Sequence, residues 1–288
     1  MTRFLDTRVS PGGGPLAQTI AVNQWVSPNY GSLPLNQLRA DIQGKHVLIG
    51  THGFNVNRQD GINSLSNWES LLQLGPASVF VGVLWPGDSV WLHALSYPEE
   101  PEIANEAGEL LAPFIHQNFA DAASISFASH SLGARLVLET ISRMSRPVRR
   151  CMLMAGAIDD NCLNAEFKTT AANIGEISVL ASKKDAVLSA AFPIGNILGG
   201  IIAAGHPWWH AALGHSGPSS PQPGNFQAPF MIPDNWNYGH HNYLEIDSTH
   251  PAIPLPVEVP PNGWPEPANS ATGWQEAWSA AFASTRFR

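Results

Sequence analysis

The residues of this chain with the clearest chemical potential lie in Ser124-Ile125-Ser126-Phe127-Ala128-Ser129-His130-Ser131-Leu132-Gly133-Ala134. An apolar, strand-like run passes straight into a helix-like one through a small-x-Ser-x-small turn. Such a turn brings the backbones two residues before and two after its serine together, so both positions must be small, as Ser129 and Gly133 are. A serine at the tip presents its hydroxyl in the open, where a neighbouring base can make it nucleophilic. Ser129 competes by residue type, but its own flanking positions would be Phe127 and Ser131, and a phenylalanine would clash in the turn. Ser131 is the better assignment.

Three further stretches carry groups that could serve such a serine. Val47-Leu48-Ile49-Gly50-Thr51-His52-Gly53-Phe54-Asn55 is a strand-like run that ends in His-Gly. Ile177-Ser178-Val179-Leu180-Ala181-Ser182-Lys183-Lys184-Asp185 ends another run on a carboxylate, and Gly239-His240-His241-Asn242-Tyr243-Leu244 offers two imidazoles.

Elements that could position these groups are visible in the hydropathy pattern. Apolar, β-branched runs recur at Lys45 to Gly50, Ser78 to Trp85, Ser124 to Ala128, Cys151 to Ala155 and Ile177 to Ala181. Segments with helical spacing separate them, at Asp60 to Leu74, Pro101 to Phe119 and Leu132 to Met144. Strand and helix alternating in this way predict a mostly parallel sheet with helices on both faces, an α/β architecture. Regularity stops after Asp185 in a Gly, Pro, Trp and His-rich region that extends to about Asn237. The pattern predicts a last helix over Thr272 to Ser284, with Trp274, Trp278 and Phe282 at four-residue spacing. Pro251 to Pro267 reads as a stiff extended connector.

Taken together, these pieces resemble the α/β-hydrolase superfamily of serine hydrolases over approximately Lys45 to Leu244. The chain is similar in particular to a largely uncharacterised bacterial branch of esterase-like members. The shared features are the His52-Gly53-Phe54-Asn55 loop, the strand-end Trp85-Pro86 and the Ser129-His130-Ser131-Leu132-Gly133 elbow. Ser129 departs from the family's usual glycine and is nearly as small. The resemblance implies Ser131 as nucleophile and an oxyanion hole built from the backbone N–H groups of Phe54 and Leu132, with Gly53 allowing close approach. It implies the order Ser, Asp, His, which makes Asp185 the acid, with Asp159 and Asp160 in reserve. His240 is then the base, with Tyr243 packed behind it and His241 as the rival. His52 precedes the serine, an order the family does not use, and reads as a loop-ordering residue.

The activity so implied is hydrolysis of a carboxylic ester through an acyl-enzyme, without a cofactor. An amidase, thioesterase or lactonase would use the same machinery, and a non-catalytic hydrolase-fold binding protein is the alternative of another class. Residues 192–237 form an insertion between acid and base, which reads as a lid or pocket wall within a single domain spanning 1–288. Its Ile197, Ile201, Trp208 and Trp209 suit a small hydrophobic ester with a short-to-medium acyl chain. His206, His210 and His215 lack accompanying carboxylates or cysteines, so no metal site is expected.

Composition narrows the function classes. With 44% hydrophobic and 13% charged residues, the chain is too apolar for disorder. A net charge of −8, with fifteen Lys and Arg in no long run, opposes nucleic-acid binding. Ala186 to Gly205 is uncharged and long enough to span a bilayer, but Pro193, Gly195, Asn196, Gly199 and Gly200 interrupt it, so no membrane span is expected. Two cysteines, Cys151 and Cys162, give no disulfide framework. The first ten residues carry charges and no apolar leader core, which reads as cytoplasmic. Oligomeric state has no sequence signature.

Overall fold

The computed structural model describes residues 1–72, 74–88, 100–189, 211–227, 230–232, 234 and 237–244. In chain order the elements are β1 (Thr2–Arg8), β2 (Leu16–Val26), β3 (Asn29–Ser32), α1 (Leu35–Ile42), β4 (His46–Thr51), α2 (Arg58–Leu72) and β5 (Ser78–Leu84). They continue with α3 (Glu100–Asn118), β6 (Ser124–His130), α4 (Gly133–Ser142), β7 (Val148–Met154), α5 (Lys168–Ala172), β8 (Ile174–Leu180), α6 (Leu213–Ser216) and β9 (Phe226–Gln227). Among the described residues the strands form one sheet in the order β3-β2-β1-β5-β4-β6-β7-β8-β9. The β1–β2 and β2–β3 pairs are antiparallel, and every other pair is parallel.

Strands covered on both faces need apolar side chains on both, which is why β5 reads Ser-Val-Phe-Val-Gly-Val-Leu and is buried from end to end. Helices supply the cover. α3 turns Ala104, Ala107, Leu111 and Ile115 inward at helical spacing, and it packs on α4, most of whose residues are buried. Strand order reverses around β4: the step from β4 to β5 runs one way along the sheet, and the step from β5 to β6 runs back across it. Right-handed crossovers therefore set α2 on one face and α3, α4 and α5 on the other. On the α2 side, Trp68 meets Phe80 edge to face at 5.6 Å between ring centroids.

Register decides where the chemistry can occur. Thr51 of β4 pairs with Ser129 of β6, so His52-Gly53 and His130-Ser131 follow at the same level. His130 in turn aligns with Met154, and Met154 with Leu180. Four carboxyl ends thus line one rim, beside the point where strand order reverses, which is where open α/β sheets place their sites.

The runs seen in the sequence fall on β4 to β8, with starts displaced by up to three residues. β7 begins at Val148 and β8 at Ile174, because Arg149, Arg150, Gly175 and Glu176 pair in the sheet without an apolar signature. Hydropathy does not predict β1 to β3 or α1. β1 holds Asp6 and Arg8 buried, so its charges break the alternation that marks a strand.

Beyond Asp185, the described part of 192–237 is stitched to the sheet. Leu213 donates to Ile158 O at 2.7 Å, Ser182 to Gly214 O at 2.9 Å, and β9 extends the sheet from β8. Ile197, Ile201, Trp208 and Trp209, together with Pro251 to Pro267 and Thr272 to Ser284, lie outside the described residues. Among those described, no helix is long and apolar enough to cross a membrane.

Candidate active site

Ser131 sits at the end of β6 with φ 54, a left-handed conformation uncommon for a residue with a side chain. The turn is fixed from both sides: its N–H donates to Met154 O at 2.9 Å, and its carbonyl accepts from Ala157 N at 3.1 Å. Close packing explains the small neighbours. A Cβ on Gly133 would lie 2.6 Å from His52 O, and one on Gly53 would lie 2.7 Å from Ser131 Cβ. The loop after β4 and the elbow are therefore pressed together with no room for a methyl group at either glycine.

His240 Nε2 lies 2.9 Å from Ser131 Oγ, and its Nδ1 lies 2.8 Å from Asp185 Oδ2. A carboxylate accepts only, so Nδ1 carries the proton in neutral His240 and Nε2 is left to accept from the serine hydroxyl. Asp185 is fully buried, and its Oδ1 accepts the Leu188 N–H at 2.9 Å. Serine, imidazole and carboxylate come from three separate chain segments and meet at the rim.

The alternatives are placed elsewhere. Ser129 is buried in β6, where its hydroxyl donates to Met152 O at 3.4 Å. His241 is exposed, with its ring edge-on to His240 at 5.4 Å. Asp159 forms a bridge with Ala212, and Asp160 donates its N–H to Ala211 O. The carboxylate bonded to His240 is Asp185.

Phe54 directly follows Gly53. Leu132 is the N-cap residue of α4, with φ −64 and ψ −18. Ala134 and Arg135 already donate back to Ser131 O and Leu132 O, whereas the Leu132 N–H has no acceptor among the described residues. A helix start leaves such donors open, and its dipole favours negative charge there. The N–H of Ser131 itself is committed to Met154.

Two further histidines order the rim. His52 Nδ1–H donates to Gly53 O at 2.9 Å, while its Nε2 accepts from Trp85 N at 3.3 Å. The Trp85 indole stacks on the same ring and donates to His52 O at 3.0 Å. His130, to which the sequence motif assigns no task, donates from Nε2 to His240 O at 2.7 Å and packs between His240 and Tyr243. It joins the end of β6 to the backbone of the His240 loop. Ser182 makes a second tie, from the loop that carries Asp185 to Tyr238 O at 2.6 Å. Neither tie could be read from sequence, because each ends on a backbone carbonyl, which any residue type supplies. Among the described residues, no group of three His, Cys, Asp or Glu side chains gathers as a metal site would require; His206 and His210 lie outside them.

Burial, with the Arg8 charge nearby, pushes His52 down to about 3. Burial and the facing His240 hold His130 well below the ordinary imidazole range. Both rings are neutral in the fold, while in the unfolded chain they protonate below the ordinary value of about 6.5. Their stabilising effect is therefore complete above that pH and is lost as pH falls toward the depressed folded-state values. Well below pH 6.5 the loss approaches about 1.4 kcal/mol per pH unit for each ring that stays neutral in the fold. Urea unfolding is expected to show a lower midpoint at about pH 5 than at about pH 7. Equal midpoints would mean that the fold accepts both protons.

Comparison with known proteins places this geometry in context. The family model described as "Alpha/beta hydrolase of unknown function (DUF900)" matches residues 35–214. No curated protein matches the sequence. Among solved structures, the chain is similar to esterase PE8, with 18% identity, a TM-score of 0.36 and coverage of 56% of this chain and 80% of that one. It is also similar to the catalytic core domain of acetyl xylan esterase from Trichoderma reesei, at 14% identity, TM-score 0.31 and coverage of 41% and 66%. Carboxyl esterase 2 from the mycorrhizal fungus Tuber melanosporum matches at 21% identity, TM-score 0.29 and coverage of 58% and 54%.

Proposed function

This chain belongs to the DUF900 family of α/β hydrolases, and from that premise we propose that it is a serine hydrolase that cleaves carboxylic esters through an acyl-enzyme on Ser131. The observation that carries the reading is the unbroken hydrogen-bond line from Ser131 Oγ through His240 to Asp185.

In this mechanism the serine proton passes to His240 Nε2 as Oγ bonds to the acyl carbon. Charge developing on the carbonyl oxygen is met by the N–H groups of Phe54 and Leu132. As the tetrahedral intermediate collapses, the bond to the leaving alkoxide breaks and His240 returns the proton to it. Water then repeats the sequence on the acyl-enzyme, releasing the acid and restoring the serine. Asp185 holds the Nδ1 proton and offsets the positive charge of the transient imidazolium.

The acyl side is assigned from sequence, to Ile197, Ile201, Trp208 and Trp209. A wall of that kind favours longer acyl chains by up to about 0.8 kcal/mol per methylene, nearly fourfold in kcat/KM. The test is a p-nitrophenyl ester series. We expect kcat/KM to rise from acetate to butyrate or hexanoate and then to level or fall. A flat series would remove the insertion from the acyl site. Faster turnover of thioesters or anilides at equal chain length would reassign the leaving group. No turnover together with no fluorophosphonate adduct would favour a binding protein.

A further inference from the structure

The N-terminal strand carries ionised groups that the mechanism leaves unused. Asp6 and Arg8 are 2% and 4% exposed, although they stand in the first ten residues. The Arg8 guanidinium pairs with Asp88 through Nη1 and donates to the carbonyl of Val56 through Nη2. The other oxygen of Asp88 accepts the Gly13 N–H at 3.0 Å. Asp6 is held by the Arg58 guanidinium at 2.9 Å, by the Tyr30 hydroxyl at 2.9 Å and by the Arg8 N–H at 3.0 Å. Two carboxylates and two guanidiniums thus form a charge-balanced group, buried at Asp6 and Arg8 and half-buried at Arg58 and Asp88.

Its position gives it more than a packing role. Val56 stands two residues after Phe54, in the loop between β4 and α2, and Asp88 lies in the loop after β5. Asn55, between Phe54 and Val56, adopts φ 58 and donates to Gly87 O at 2.7 Å. Arg8 therefore grips both loops at once, beside the left-handed turn at Asn55 that directly follows Phe54. A buried ion pair is a poor choice for stability alone, since desolvation offsets most of its Coulomb attraction and an apolar side chain would serve as well. What hydrocarbon cannot supply is a planar fork that fixes a carbonyl and a carboxylate at set distances. An oxyanion donor needs that kind of placement, because its hydrogen bond must be made to a charge present only in the transition state.

We propose that Arg8 is a positioning residue for the oxyanion hole, so that the N-terminal strand, which lies outside the matched residues 35–214, is part of the active centre. The inference rests on the reading of Phe54 as an oxyanion donor in a serine hydrolase. Arg8→Met removes the fork, and Arg8→Lys keeps the charge but can reach only one of the two partners. Each variant is compared with the parent for kcat and KM on p-nitrophenyl butyrate. Each is also compared for inhibition by a trifluoromethyl ketone, whose serine adduct carries an oxyanion. We expect kcat to fall by roughly 10- to 100-fold with KM within about twofold, and the inhibition constant to rise in parallel with the loss in kcat. If Arg8→Met does not fold, Arg8→Lys carries the same comparison.

Unchanged kcat in a folded Arg8 variant would overturn the proposal and leave the serine-hydrolase reading standing. So would a fall in kcat with inhibitor affinity preserved, since that locates the damage away from the oxyanion. A parent protein that neither turns over esters nor binds the ketone would remove both readings together.

Discussion

Replacing Ser131 with alanine is expected to abolish ester turnover and fluorophosphonate labelling together, with kcat falling on the order of 10⁴-fold or more. The substitution removes one oxygen and leaves the turn intact. The Ser131 backbone is held by Met154 O and Ala157 N, neither of which involves the side chain, and alanine meets the same left-handed conformation at the same cost. The variant should therefore unfold at nearly the parent temperature, which separates lost chemistry from lost structure. Mass spectrometry of the labelled parent should place the adduct on the peptide position of Ser131. An adduct on Ser129 would be hard to reconcile with a hydroxyl buried in the sheet, and finding one would move the nucleophile.

His240→Ala is expected to lower kcat by about 10³-fold or more, because no other imidazole reaches Ser131 Oγ within hydrogen-bond distance among the described residues. The loop should stay docked, since His130 holds the backbone carbonyl of residue 240 and not its ring. A moderate loss of stability should accompany the change. Asp185 would lose the partner of Oδ2 in a fully buried site, and leaving such a group unpaired costs about 1–3 kcal/mol. His241→Ala, on an exposed ring, is the control and should keep near-normal turnover. The reverse pattern, with His241→Ala inactive and His240→Ala active, would reassign the base.

What could be read from sequence follows from how local each signal is. Strands β4 to β8 announce themselves because burial on both faces forces consecutive apolar residues. The elbow announces itself because its steric demands fall on residues within a few positions of Ser131. β1 gives no such notice. Arg3 and Arg8 find their carboxylates 38 and 80 positions away, at Asp41 and Asp88, and no pattern within the strand records a distant partner. β9, two residues long, is too short to have a pattern.

The site divides along the same line. Asp185 is legible as a carboxylate at a strand end. The choice between His240 and His241 is not, because it depends on which of two adjacent rings turns inward when a loop docks 109 positions from the serine. That docking rests on His130 and Ser182 gripping backbone carbonyls. Arg8 escapes sequence reading for a related reason: a charge near the start of a chain ordinarily belongs to solvent, and only the folded sheet shows it enclosed.

The parallel pairing of β1 with β5 also decides which edge of the sheet is left open. Arg3 to Asp6 lie against Val81 to Leu84, so the backbone edge of β5 is covered along the half nearest the rim. β5 is uncharged, rich in β-branched and aromatic residues and free of proline, the composition that stacks readily into intermolecular sheets. Without its neighbour it would be an open edge with nothing to repel another chain. Among the described residues the sheet instead ends, on that side, in the short β3, next to a turn that contains Pro28 and beside Asn23 and Gln24 of β2. The N-terminal hairpin thus covers an edge of β5 that trimming the chain to residues 35–214 would lay open.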